Sequence, residues 1–139
     1  MEVFTKSAQE TQKLGEKLAV DIAADRVFPK VLCLYGDLGS GKTTFVQGLA
    51  RGLGIKKRVL SPTFIMMRQY GNFYHIDLYR AENEKDVEGL GLQEIWSDPK
   101  NIVVIEWAEK IKKILPKRKT EIFFENIDEN RRKITLSGD

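Results

Sequence analysis

Val31-Leu-Cys-Leu-Tyr35 runs directly into Gly36-Asp-Leu-Gly-Ser-Gly-Lys-Thr43, and Thr44–Leu53 follows with apolar residues at helical spacing, closed by Gly54. The first five residues read as a strand buried on both faces. The next eight match G-x-x-x-x-G-K-[ST] in full, and the last segment is a helix with a glycine C-cap. Strand, glycine-rich loop and helix in that order form the context the motif requires. Gly36, Gly39 and Gly41 let the backbone take torsions that a Cβ would obstruct, so successive amides turn inward toward an anion. Lys42 is then placed for the β- and γ-phosphates, and the Thr43 hydroxyl for the Mg²⁺ that bridges them. The positive end of the following helix adds to the same anion site. The stretch predicts a nucleoside-triphosphate site.

Outward from that loop, Ser7-Ala-Gln-Glu10 has the spacing of a capping box, with Leu14, Leu18 and Ile22 at four-residue steps behind it. An amphipathic helix to about Ala24 is expected, stopped by Pro29. Downstream, Phe64–Tyr70 and Phe73–Tyr79 flank Gly71-Asn72, the pattern of a hairpin with a two-residue loop. Ala81–Trp96 is acidic, broken by Gly89 and Gly91, and reads as two short helices. Ile102-Val-Val-Ile105 is a second fully apolar strand, Ala108–Leu115 a helix closed by Pro116, and Glu121–Ile127 with Lys133–Leu136 a closing strand pair. Apolar strands alternating with helices predict an α/β fold, a P-loop domain with a mixed, partly parallel sheet flanked by helices.

At 139 residues the chain is expected to form one domain, 1–139. With 42% hydrophobic and 31% charged residues it has the composition of a folded, water-soluble protein. No apolar run approaches the ~20 residues a bilayer requires. Met1-Glu-Val-Phe-Thr-Lys6 lacks a basic start followed by an apolar segment, so a cytoplasmic chain without a membrane partner is expected. The single Cys33 excludes an internal disulfide and a cysteine-based zinc site, and reads as a small buried hydrophobe. The net charge of +3 is too small to name a partner.

A P-loop enzyme also needs a carboxylate at the end of a neighbouring buried strand. Glu106 follows Ile102–Ile105 and could take the metal directly or through water, or could cap the helix starting near Ala108. Trp107 would flank the nucleotide or a partner, or fill the core edge. Period-two alternation puts Phe73, His75, Asp77 and Tyr79 on one face, where Asp77 could orient the attacking water, support the metal from outside its ligands, or bind a structural arginine. On a hairpin strand, Asp77 is expected further from the phosphates than Glu106. His75 reads as a satisfied or packed imidazole, and Arg80 as a phosphate-neutralising or exposed cation. Ser61-Pro-Thr63 follows the P-loop helix, where nucleotide switches place a γ-phosphate-sensing threonine, although a plain turn into Phe64 fits equally. Basic clusters at Lys110–Lys119, Lys56–Arg58 and Arg131–Lys133 could track an RNA backbone or simply be solvated.

Gly36–Thr44, Ser61-Pro-Thr-Phe64, His75-Ile-Asp-Leu-Tyr-Arg80 and Ile105-Glu-Trp107 occur in this order over nearly the whole chain. In this combination the sequence resembles the bacterial TsaE (YjeE) family, the small ATPases of tRNA threonylcarbamoyladenosine synthesis. The resemblance implies ATP and Mg²⁺ as ligands. It also implies TsaB and TsaD as partners, with tRNA contacted directly or through that complex. Asp37, Leu38, Gly39, Ser40, Gly41, Lys42, Thr43 and Thr44 would surround the nucleotide with Trp107 beside it; Thr43 and Glu106 would hold magnesium. Asp77, Lys42 and Thr63 would serve hydrolysis. Ser40 departs from the alanine frequent at that place in the family's loop. Three rivals remain. A small kinase would need an acceptor pocket and an arginine-rich lid, and no such insertion is visible. A GTPase would need Asn-Lys-x-Asp, which Asn83-Glu-Lys-Asp86 does not supply. The third is a nucleotide-gated module that binds RNA or protein and hydrolyses little.

Overall fold

A computed structural model of the chain describes residues 1–24, 29–56 and 66–138. Among these, seven strands form one sheet: β1 (Glu2–Thr5), β2 (Val31–Tyr35), β3 (Met67–Tyr70), β4 (Phe73–Asp77), β5 (Ile102–Glu106), β6 (Thr120–Asn126) and β7 (Arg132–Gly138), in the spatial order β1-β7-β6-β2-β5-β4-β3. The four central strands β6, β2, β5 and β4 run parallel. The flanks, β7 with β1 and β3 alone, are antiparallel, which makes the sheet mixed as expected. Gly71 supplies the positive φ, 64°, that the β3–β4 hairpin loop needs. Thr63, expected in a switch-like loop, and Phe64, the expected strand start, lie outside the described residues.

The helices α1 (Ala8–Ala23), α2 (Lys42–Gly52) and α3 (Leu92–Ser97) are joined by two 3-10 helices, Glu84–Leu90 and Ala108–Ile114. Ser7 caps α1 by accepting from the Glu10 amide at 3.2 Å. The Glu10 carboxylate accepts in return from the Lys6 amide at 2.9 Å, one residue earlier than the usual box. The segment expected as a helix to Leu115 breaks at Ile111, whose φ of −126° leaves helical geometry while its side chain stays fully buried.

α1 and α2 cover one face of the sheet, packing Leu18, Ile22, Phe45 and Leu49 on Leu32, Leu34, Val104 and Ile122. Each such fully buried side chain contributes about 1.5–3 kcal/mol. The two helices meet at Gly48, where an added Cβ would stand 2.0 Å from the Gln12 carbonyl oxygen. α3 and the two 3-10 helices cover Val31, Cys33, Val103 and Ile105 on the opposite face. β2 and β5 are therefore sandwiched, the physical reason both read as unbroken apolar runs. Burial pushes the Cys33 thiol up to about 12, consistent with its reading as a packed hydrophobe.

Candidate functional site

Three chain segments converge at the carboxyl ends of the parallel strands, the end where open α/β sheets bind ligands. β2 delivers the loop from Gly36 to Gly41, β5 delivers Glu106 and Trp107, and β4 delivers Asp77. They border a cleft of about 490 Å³ that Leu38, Gly39, Gly41, Lys42, Thr43 and Thr44 line on the phosphate-loop side. Gly36, Gly39 and Gly41 hold φ values of 148°, 77° and 98°, which L side chains rarely adopt, and so give the loop its inward turn. At Gly36 a Cβ would also meet the Phe124 carbonyl at 2.8 Å. The Asp37 carbonyl accepts from the Ser40 amide at 3.2 Å in a tight turn. These two residues border a shallow groove with Phe124 and Asn126, so of the expected loop residues Asp37 and Ser40 do not line the cleft.

Lys42 is buried, its ammonium donating to the Gly36 carbonyl and lying 3.6 Å from the centre of the Trp107 ring. Burial holds this ammonium below the ordinary lysine value, with the nearby Glu106, Glu109, Asp77 and Asp37 acting in the opposite direction. Trp107 reaches over the lysine from a left-handed backbone (φ 60°, ψ 40°), a conformation that costs a residue bearing a Cβ about 1–3 kcal/mol. Its indole also packs against Tyr79, ring centres 5.3 Å apart.

Glu106 is 3% exposed and has two partners. Thr43 Oγ1 donates to Oε1 at 3.4 Å, and His75 Nε2 donates to Oε2 at 2.5 Å. A buried carboxylate stripped of its partners costs several kcal/mol, so these two bonds explain why an acid can end a fully buried strand. His75, 0% exposed, is the packed imidazole expected, and its one hydrogen-bond partner among the described residues is the candidate metal ligand. Its Nδ1 has no partner among the described residues.

Asp77 is the register partner of Glu106 across the parallel β4–β5 pair and borders the same cleft, one strand further from β2 than Glu106, as expected of a hairpin strand. A parallel pairing of the hairpin's second strand with β5 brings the two strand ends level, and nothing local in the sequence encodes that pairing. Asp77 Oδ1 accepts from the Tyr79 amide at 3.0 Å, the turn that ends β4 two residues before the expected Tyr79. Tyr79 and Arg80 are exposed at the cleft's edge.

Hard oxygen donors, one hydroxyl and one carboxylate, converge at Thr43 and Glu106 on a helix N-terminus. No group of three or more His, Cys, Asp or Glu side chains among the described residues could hold a metal alone. This donor set suits magnesium carried by phosphate oxygens rather than a self-sufficient protein cage.

The cleft has a second wall that sequence reasoning missed. Ser7, Ala8 and Thr11 at the start of α1, with Asn130 and Arg132 at the β6–β7 turn, complete it. Arg132 donates to the Gly39 carbonyl at 3.2 Å and thereby ties the far hairpin to the phosphate loop. Nothing in Ser7–Thr11 marks it as more than a helix cap, because only the packing of α1 along α2 brings it beside the loop.

One basic cluster is engaged internally, and a second only in part. Arg131 pairs with Asp128 at 2.6 Å and Lys133 with Glu2 at 3.0 Å. Lys110 donates to the Tyr79 and Ala81 carbonyls, whereas Lys112, Lys113, Lys117 and Arg118 are exposed. Of the Lys56–Arg58 cluster only Lys56 lies within the described residues. Among those residues no helix is long and apolar enough to cross a membrane.

Comparison with known proteins gives concordant matches. The family model described as Threonylcarbamoyl adenosine biosynthesis protein TsaE matches residues 5–134. A Bacillus subtilis (strain 168) protein named tRNA threonylcarbamoyladenosine biosynthesis protein TsaE is 41% identical over 112 residues, 78% of this chain and 69% of its own length. A Treponema pallidum protein of the same name is 34% identical over 140 residues, covering 99% of this chain and 100% of the relative. The crystal structure of Bacillus subtilus YdiB superposes with a TM-score of 0.79 at 31% identity, over 99% of this chain and 84% of that one.

Proposed function

The chain belongs to the TsaE family of tRNA threonylcarbamoyladenosine biosynthesis proteins, and from that membership we propose that it binds ATP with Mg²⁺ and hydrolyses it, residues 1–139 acting as one P-loop domain in the cytoplasm. It works with TsaB and TsaD, the pair that transfers the threonylcarbamoyl group to the adenosine beside the anticodon. tRNA meets it directly or through that complex.

One observation carries this reading. The phosphate loop, Lys42 and the Thr43–Glu106 oxygen pair face one cleft, and Asp77 ends the strand beside Glu106 at the same level. The loop amides and Lys42 bind the triphosphate, and Thr43 with Glu106 would hold magnesium. When bound, that ion neutralises charge on the β- and γ-oxygens. Asp77 orients the attacking water, and Trp107 flanks the nucleotide. Thr63 serves as the γ-phosphate-sensing threonine of the switch loop. Loop residues Asp37 and Ser40, which do not line the cleft, contribute through their backbone amides.

Among the described residues the cleft is bordered by exposed groups, with few elements to close over a nucleotide. Turnover is therefore slow alone and faster in a complex that excludes water from the site. Phosphate release from ATP, measured alone, then with TsaB and TsaD, then with tRNA added, tests the reading. Release that rises with the partners is the expected result. Nucleotide-dependent RNA binding without release would replace it with the binding-module alternative.

A further inference from the structure

The pair His75–Glu106 does more than neutralise a buried acid. His75 reaches Oε2 of Glu106 at 2.5 Å from β4, while Oε1 is the oxygen turned to the Thr43 hydroxyl. The arrangement is rigid by construction. His75 stands opposite Val104 in the parallel ladder, two register pairs before Asp77 and Glu106, and the ring is 0% exposed. No other donor reaches Oε2, and Nδ1 has no partner that would pull the ring elsewhere among the described residues.

We propose that His75 is a positioning residue that holds Oε2 of Glu106 away from the cation, leaving Oε1 as the single carboxylate oxygen offered to it, and so favours Mg²⁺ over Ca²⁺. The proposal rests on the magnesium role of Glu106 stated above and adds the residue that shapes it. Mg²⁺ demands a compact octahedral shell and takes one oxygen per carboxylate, whereas Ca²⁺ readily accepts both oxygens of a carboxylate in a larger shell. An N–H bonded to one oxygen blocks the bidentate mode and fixes the angle of the other. Loss of such an outer partner typically lowers metal affinity by about 10–100-fold.

The test is nucleotide binding rather than turnover. ATP is titrated by calorimetry into the full chain at fixed concentrations of Mg²⁺, of Ca²⁺ and of chelator, for wild type, His75→Leu and His75→Gln, and for His75→Leu combined with Glu106→Gln. In His75→Leu the Mg²⁺ midpoint is expected to rise about tenfold and the Ca²⁺ midpoint to fall or stay, with chelator-condition binding unchanged. His75→Gln keeps an N–H able to reach Oε2 and is expected within about threefold of wild type. Should His75→Leu fail to fold, His75→Gln decides alone: a Mg²⁺/Ca²⁺ preference as strong as wild type supports the proposal, and a lost preference overturns it. With Glu106→Gln already present, His75→Leu is expected to change nothing further. Equal Mg²⁺ midpoints in His75→Leu and wild type, or a loss undiminished in His75→Gln, overturn the proposal while the magnesium role of Glu106 stands. ATP binding that is metal-independent in wild type removes both.

Discussion

Lys42→Ala should separate ATP from ADP. In the structure the ammonium is already engaged, donating to the Gly36 carbonyl and facing the Trp107 ring at 3.6 Å. Binding a triphosphate exchanges these contacts for bonds to the β- and γ-oxygens. Each charge-assisted bond is worth about 1.5–3 kcal/mol, so two give roughly 4.5 kcal/mol. The contacts given up, one carbonyl bond and one cation–π contact, are worth about 2 kcal/mol together. The net loss for ATP is therefore about 2.5 kcal/mol, roughly 70-fold in Kd. For ADP only the β-phosphate bond is exchanged, so the expected loss is within about twofold. Because the lysine is buried and desolvation already disfavours its charge, removing it should leave the melting temperature nearly unchanged. Calorimetric titration of both nucleotides with Mg²⁺ present measures the difference, and phosphate release should vanish. Equal losses for ATP and ADP would refute the placement of Lys42 at the γ-phosphate.

Three further outcomes are expected. Asp77→Asn should lower kcat with little change in KM, while Glu106→Gln should weaken Mg²⁺-dependent nucleotide binding; the reversed pattern in steady-state kinetics and titration would exchange their roles. Gly48→Ala forces α1 off α2, because its Cβ would stand 2.0 Å from the Gln12 carbonyl oxygen. An overpacking cost of about 1–3 kcal/mol, less about 1 kcal/mol of helix propensity, predicts a melting temperature lower by roughly 5 °C, and an unchanged or higher one contradicts it. Asp128 accepts from the Arg131 amide and side chain and from the Asn130 amide, which hold its carboxyl down at about 2 against an ordinary 3.8. A folded value below the unfolded one stabilises above about pH 4 and is lost as pH falls toward 2. Wild type should therefore exceed Asp128→Asn in melting temperature at pH 7, the gap closing by pH 2; a gap independent of pH would contradict this.

Sequence alone determined the parts of this protein whose physics is local. The run Val31–Thr43 carries its strand, its turn and its anion chemistry within thirteen consecutive positions, because burial on both faces writes an apolar run and wrapping a phosphate requires glycine. Ser7 announced its own helix cap, and Gly71-Asn72 its hairpin. Glu106 was legible because it ends an apolar run that must neighbour β2. Tertiary structure decided what depends on pairing between distant segments. β1 is four residues long and is held by β7 some 130 positions later, too short a pattern to read and too far to infer. Asp77 drew level with Glu106 only through the parallel register of β4 on β5. His75 could be read as a packed imidazole, but that its bond falls on Glu106, 31 positions away, follows from that same register. Thr11 and Arg132 joined the cleft for the same reason: a side chain's neighbours across a sheet are set by strand order and helix packing, which no short stretch of residues contains.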